Sequence, residues 1–128
     1  MDSLSPQDAG FLFVENEVNH MHIAVAAIFE GPPPTQGEVE EMIGSKLDRV
    51  PRYRQRVRFV PFGLGQPVWI DDANFDLAYH VRHTALPSPG GATELHNLVG
   101  RVMSQKLDRG RPLWEAWVVE GLQGGHWA

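Results

Sequence analysis

The chain contains no cysteine. That single absence excludes disulfide staples, thiolate nucleophiles and cysteine-bound metals together. Long apolar runs are missing as well. The longest nearly uncharged stretch, Met21 to Phe29, falls far short of the about 20 residues that a helix needs to cross a bilayer. The opening residues, MDSLSPQDAG, have neither a basic segment nor an apolar core, so no secretory leader is expected there. A cationic surplus is also lacking. Lys and Arg number 11 against 16 Asp and Glu, for a net charge of −5 and a pI of about 5.6. Nucleic acid is therefore not expected as a partner. These absences predict a cytoplasmic protein, at most peripheral at the inner membrane face or at lipid inclusions.

What is present reads as one modest folded domain. Apolar residues make up 42% and charged residues 21%, close to ordinary globular usage and unlike a disordered tract. Glycine and proline cluster between periodic segments, as turns do. No internal repeat or low-complexity segment interrupts the pattern.

Ser5-Pro6-Gln7-Asp8 predicts a helix start, with Ser5 as cap, Pro6 in the first position and Asp8 near the positive end of the helix dipole. Met21 to Glu30 is rich in β-formers and predicts a buried strand. After Gly31-Pro32-Pro33-Pro34, a helix begins at Thr35 or Gln36. Val39, Met42, Ile43 and Leu47 form its apolar face, and Pro51 ends it. Arg54, Arg56 and Arg58 alternate with Gln55, Val57 and Phe59, the period of a strand with one cationic face. Phe62-Gly63-Leu64-Gly65 turns the chain into a return strand at Val68 to Ile70. Leu77 to Leu86 reads as another strand. Leu95, Leu98, Val99, Val102 and Met103 carry the clearest helical stripe, with Thr93 as a candidate cap. Leu107 continues that face, and Gly110 with Pro112 stops it. Leu113 to Leu122 is apolar on both faces, as a central strand covered on both sides is. Gln123-Gly124-Gly125 turns it back into His126-Trp127-Ala128. The fold class expected is α+β, a mixed sheet with flanking helices.

Four segments, in order, resemble the wax ester synthase/diacylglycerol acyltransferase family. They are Leu4-Ser5-Pro6-Gln7-Asp8-Ala9-Gly10-Phe11-Leu12 with the strand Met21-His22-Ile23-Ala24; Val50-Pro51-Arg52-Tyr53-Arg54-Gln55-Arg56; Phe75-Asp76-Leu77-Ala78-Tyr79-His80-Val81-Arg82-His83; and Leu107-Asp108-Arg109-Gly110-Arg111-Pro112-Leu113-Trp114-Glu115. The last contains the family's P-L-W signature. The resemblance implies a fold like chloramphenicol acetyltransferase, built from two half-domains with the active site in a tunnel between them. It implies transfer of an acyl group from acyl-CoA to diacylglycerol, giving triacylglycerol, or to a long-chain alcohol, giving a wax ester. A histidine acts as general base, with no metal or other cofactor. A peptide-synthetase condensation domain also begins near an L-S-P motif, but the P-L-W-E and F-D-x-x-Y-H-V strings favour the acyltransferase.

That histidine belongs to the family motif H-H-x-x-x-D-G, and neither an H-H nor a D-G pair occurs in these 128 residues. The expectation is therefore an N-terminal half-domain, residues 1–128, cut before the motif and lacking its C-terminal half-domain. No catalytic residue is assigned. Asp108, Arg109, Arg111, Pro112, Leu113 and Trp114 are expected to be scaffold. The alternative is a non-catalytic module that binds lipid or a protein partner.

The remaining features each have a plain reading. His20 and His22 share a strand face and His80 and His83 lie close, but no acidic or cysteine partner accompanies them, so metal binding is not expected. His126 at a turn exit has no orienting partner in sequence. The run from Lys46 to Arg58 holds six of the 11 basic residues and one acid, Asp48. Lys46, Arg52, Arg54, Arg56 and Arg58 are candidates for contact with anionic head groups or coenzyme A phosphates, against the plainer reading of a solvated face. A half-domain with an uncovered strand edge should self-associate and melt broadly. A sharp, concentration-independent melt of a monomer would contradict that expectation.

Overall fold

The computed structural model describes residues 2–14 and 22–128, which form two compact units. Both interleave in sequence. One takes residues up to 22, 46–75 and 106–114; the other takes 23–45, 76–105 and 115–128.

In the first unit, proline at a helix start loses no hydrogen bond, and helix α1 runs Pro6–Val14. The Ser5 hydroxyl accepts the Asp8 amide at 3.1 Å, as the sequence predicts. Strand β1 (Asp2–Ser3), β2 (Gln55–Arg58) and β3 (Val68–Asp71) make an antiparallel sheet in the order β1-β3-β2. The register sets Gln55 opposite Asp71 and Arg58 opposite Val68, so residues 59–67 form the loop of a β2–β3 hairpin. Val57 points inward, into a core with Leu4 and Ala9, on which Leu12, Trp69 and Leu113 pack. The period-two reading of the arginine strand holds, although Arg54 itself ends a 3-10 turn, Pro51–Arg54.

The second unit centres on two parallel strands, β4 (Val81–Ala85) and β5 (Ala116–Glu120), paired from Val81↔Ala116 to Ala85↔Glu120. Parallel neighbours need a crossover, and helix α4 (Ala92–Met103) lies between them in sequence. On the other side of β5, Val119 exchanges two backbone hydrogen bonds with Ala128, of 2.7 and 2.9 Å. Trp127 does the same with Phe29 at 2.7 and 3.0 Å, with the two rings stacked 4.5 Å apart. The expected central strand is thus present, and Gln123–Gly125 is the expected turn. Val118 packs with Val39 and Val81 beneath helix α2 (Gln36–Gly44), while Val119 packs with Leu86, Leu95, Leu98 and Leu122 beneath α4.

Several expectations need correction. Met21, like His20, lies outside the described residues. Residues 22–28 form no strand, and only Phe29 pairs, so Ile23 and Val25 stand more than nine-tenths exposed instead of buried. A strand exists only where a neighbour accepts its backbone groups, and β-propensity cannot supply one. The predicted strand at Leu77 begins as one helical turn, α3 (Leu77–His80), because the Asp76 carboxylate caps the Ala78 amide at 3.1 Å. Helix α2 has Thr35 and Glu38 as a reciprocal capping box and stops at Gly44, where the Ser45 hydroxyl donates to the Met42 carbonyl. Leu47 is buried from a following 3-10 turn, Met42 is exposed, and Pro51 opens a turn instead of ending a helix. Helix α4 is capped at Gly91, not Thr93, and ends at Met103, so Leu107 is not on it. Trp114 and Leu113 precede β5 and belong to the other unit.

Gly90 explains the early start of α4. It sits at φ +71°, and a Cβ there would run into the carbonyl oxygen of Gly121. Gly100, in the middle of α4, has open space around it. Gly90→Ala is expected to lower stability by about 2 kcal/mol or more. Gly100→Ala should raise it by about 0.5–1 kcal/mol. Urea titration followed by circular dichroism measures both.

Candidate functional site

The P-L-W segment is a junction. Pro112 is buried, and Leu113 lies on the Leu4/Ala9/Val57 core. The Trp114 indole nitrogen donates to the Tyr53 carbonyl at 2.8 Å, with the two rings 5.7 Å apart. Arg109 donates to the carbonyl of Leu12 at 2.6 Å, close to the last turn of α1 where backbone carbonyls lack helical partners, and its guanidinium lies 5.7 Å over the Phe59 ring. Asp108 closes the loop, accepting the Gly110 amide at 2.8 Å and lying 3.6 Å from the Arg111 guanidinium. Three chain segments distant in sequence therefore meet through this one motif.

Three of the cations of residues 46–58 line two clefts, Arg49 and Arg52 in one and Arg56 in the other. The larger, about 560 Å³, is lined by Asp2, Arg49, Val50, Pro51, Arg52, Tyr53 and Gln55. Two guanidinium groups face one carboxylate there. Arg52 is held by Asp2 at 3.3 Å and by the Gln55 side chain at 3.0 Å, over the Trp69 ring. The smaller, about 340 Å³, sets Arg56 and Arg111 among Asp71, Asp72 and Asp108, and this carboxylate excess disfavours an anion. Arg54 covers the Phe75 ring at 5.2 Å, while Lys46 and Arg58 are exposed. Arg49 and Gln55, which residue type alone did not single out, belong to the first cleft.

Among the described residues, His80, His83 and His126 each have partners of their own. His80 is 1% exposed and edge-on to Tyr79, whereas His83 Nδ1 lies 2.9 Å from Gln36 Oε1. Gln36 Nε2 donates to the Val81 carbonyl, which fixes its amide orientation, so Oε1 accepts and the His83 proton sits on Nδ1. His126 Nδ1 lies 2.9 Å from the Gln123 carbonyl, and its Nε2 is 4.0 Å from Glu30. Among the described residues no three His, Cys, Asp or Glu side chains group as metal ligands would. A polar cluster that spacing did not reveal surrounds Arg82. It donates to the Tyr79 carbonyl, lies 4.6 Å from the Tyr79 ring and 6.0 Å from the Trp117 ring, and faces Glu115, which also accepts the Trp117 indole N–H. Tyr79, Arg82 and Glu115 all stand in the family-like segments, but nothing in the sequence brought them together.

A family model described as the wax ester synthase/diacylglycerol acyltransferase catalytic domain matches residues 4–128. The chain belongs to this family. The Mycobacterium tuberculosis protein named probable diacylglycerol O-acyltransferase tgs1 is 45% identical over 130 residues, covering 100% of this chain and 28% of that protein. The one named tgs3 is 44% identical over 122 residues, covering 94% of this chain and 45% of its own length. The solved wax ester synthase/diacylglycerol acyltransferase of Marinobacter aquaeolei VT8 superposes with a TM-score of 0.76 at 32% identity, covering 99% of this chain and 31% of that one. The chain thus spans less than half the length of these relatives. The mixed α+β fold expected from the resemblance, of the chloramphenicol-acetyltransferase-like class, is the one found. No described helix is long and apolar enough to cross a membrane.

Within this wax ester synthase/diacylglycerol acyltransferase fold, Arg109 and Arg58 should differ sharply in structural weight. Arg109→Ala removes a charged, partly buried hydrogen bond and is expected to cost about 1.5–3 kcal/mol. Arg58→Ala, at an exposed position, should stay within about 0.5 kcal/mol. Paired urea denaturation curves test the difference.

Proposed function

We propose that these residues are the N-terminal scaffold of an O-acyltransferase that moves an acyl group from acyl-CoA to diacylglycerol or to a long-chain alcohol. The observation that carries the reading is the family match across residues 4–128, joined to relatives named for diacylglycerol acyl transfer. In the chemistry, the acceptor hydroxyl loses its proton to a histidine base as its oxygen attacks the thioester carbonyl. The coenzyme A thiolate then leaves and takes up a proton. Three of the described histidines lack the setting for that base. His80 is buried against Tyr79, His83 is bonded to Gln36, and His126 sits on a turn with its Nδ1 beside a carbonyl. The H-H-x-x-x-D-G motif, absent from these 128 residues, would supply it.

The chain contributes shape and charge. Asp108, Arg109, Arg111, Pro112, Leu113 and Trp114 hold a helix end, a hairpin and a loop together as framework. The cleft with Arg49 and Arg52 is the favoured place for a coenzyme A phosphate or a lipid phosphate, because guanidinium groups there outnumber carboxylates. Lys46, Arg54, Arg56 and Arg58 add cationic character around it without forming one continuous surface with it. A binding module without catalysis is the second reading, favoured by the exposed Ile23, Val25 and Ile28.

The test is acyl transfer from labelled palmitoyl-CoA to diolein and to hexadecanol. It compares the 128-residue chain with a longer polypeptide that continues through the histidine motif and the second half-domain. Product from the longer protein alone is expected. Product from the short chain would place the base among its own histidines, and silence from both would favour the binding module.

A further inference from the structure

The loop of the β2–β3 hairpin is apolar and faces water. From Phe59 to Gly65 it reads Phe-Val-Pro-Phe-Gly-Leu-Gly, without a charge. Phe62 is 96% exposed and Leu64 81% exposed. Phe62 also holds φ at +59°, a left-handed conformation that costs energy for a side chain larger than glycine. The ring itself buries almost nothing that would offset that cost. Beside the loop, Phe13 is 64% exposed and lies 6.2 Å from the partly exposed Phe59.

The arginines run along β2 as far as the tip, whereas the carboxylates stand away from it. Arg58 is the last residue of β2 and opens the loop, and the Arg109 guanidinium lies over Phe59. The carboxylates sit at the opposite end, with Asp71 across from Gln55 and Asp72 bonded through its amide to the Arg54 carbonyl. An uncharged aromatic tip with cations at its collar and acids held away is the charge arrangement of a bilayer interface. There rings enter the acyl boundary and guanidinium groups meet anionic phosphates.

We propose that the 59–65 loop is a lipid-surface anchor, with Phe62 and Leu64 entering the interface and Arg58 facing anionic head groups. The proposal rests on the lipid-acyltransferase reading only in choosing a lipid as the occupant, and its test needs no catalysis. The loop would deliver the protein to the phase in which a diacylglycerol-like acceptor is dissolved.

Absence of cysteine makes the decisive experiment direct. In Phe62→Cys, carrying an environment-sensitive fluorophore on the one thiol, emission should be water-like in buffer. It should shift to the blue on adding vesicles of phosphatidylcholine with about one-third phosphatidylglycerol. Co-sedimentation of the unlabelled chain with the same vesicles should weaken by about tenfold or more in Phe62→Ser/Leu64→Ser. It should weaken by a smaller factor in Arg58→Ala or on moving to pure phosphatidylcholine. Circular dichroism melts should be unchanged in these variants, which separates anchoring from folding. Failure of the parent chain to sediment, or equal sedimentation of the double variant, would overturn the proposal. A blue-shifted emission in buffer alone would also overturn it, because protein, such as a second copy, would then cover the loop. An acyl-transfer assay that fails while the anchor works would sink the catalytic reading and leave this one standing.

Discussion

Two adjacent valines set the architecture of one unit. Val118 and Val119 are consecutive in β5, so their side chains leave opposite faces of the sheet, and each enters a separate apolar cluster. A strand committed on both faces tolerates no slip in register, because a shift by one residue would exchange the two clusters. β4 is therefore fixed beside it in parallel, α4 becomes the crossover, and the Gly90 approach to Gly121 follows from where α4 must begin.

The other unit is fixed by polar ties instead. Its core is small, centred on Leu4, Ala9 and Val57. Precision there comes from side chains that bond to backbone: Trp114 to Tyr53 and Arg109 to Leu12. A motif rich in charge makes physical sense on these terms. Proline, tryptophan and arginine each hold a backbone that has no regular ladder of its own.

Legibility in the sequence followed the range of the forces involved. α1, the start of α2, the arginine strand and the stripe of α4 depend on neighbours within a few residues, and their patterns were readable. So was the two-faced β5, since burial on both sides leaves an unbroken apolar string. What was not readable depended on distant partners or on small local competitors. Residues 22–28 had strand composition but no ladder partner. Asp76 turned the start of a predicted strand into a helical turn through one hydrogen bond. Among candidate site residues, the role of Arg109 as a tether needed Leu12 to be in reach, 97 positions away. The division of the arginines between two clefts needed the positions of Asp71, Asp72 and Asp108. The family was legible because four short strings occur together and in order.

The interleaving of the two units bears on how the chain comes to fold on the ribosome. Each unit is assembled from three separated stretches, and the last of these are 106–114 and 115–128. Synthesis proceeds in order, so β1 must wait for its ladder partner β3, which begins at Val68. β4 likewise waits uncovered until β5 appears, more than thirty residues later. Contacts of such separation are slow to form, and the waiting segments expose apolar surface meanwhile. Until its partner emerges, each such segment is a place where a chaperone could bind during translation.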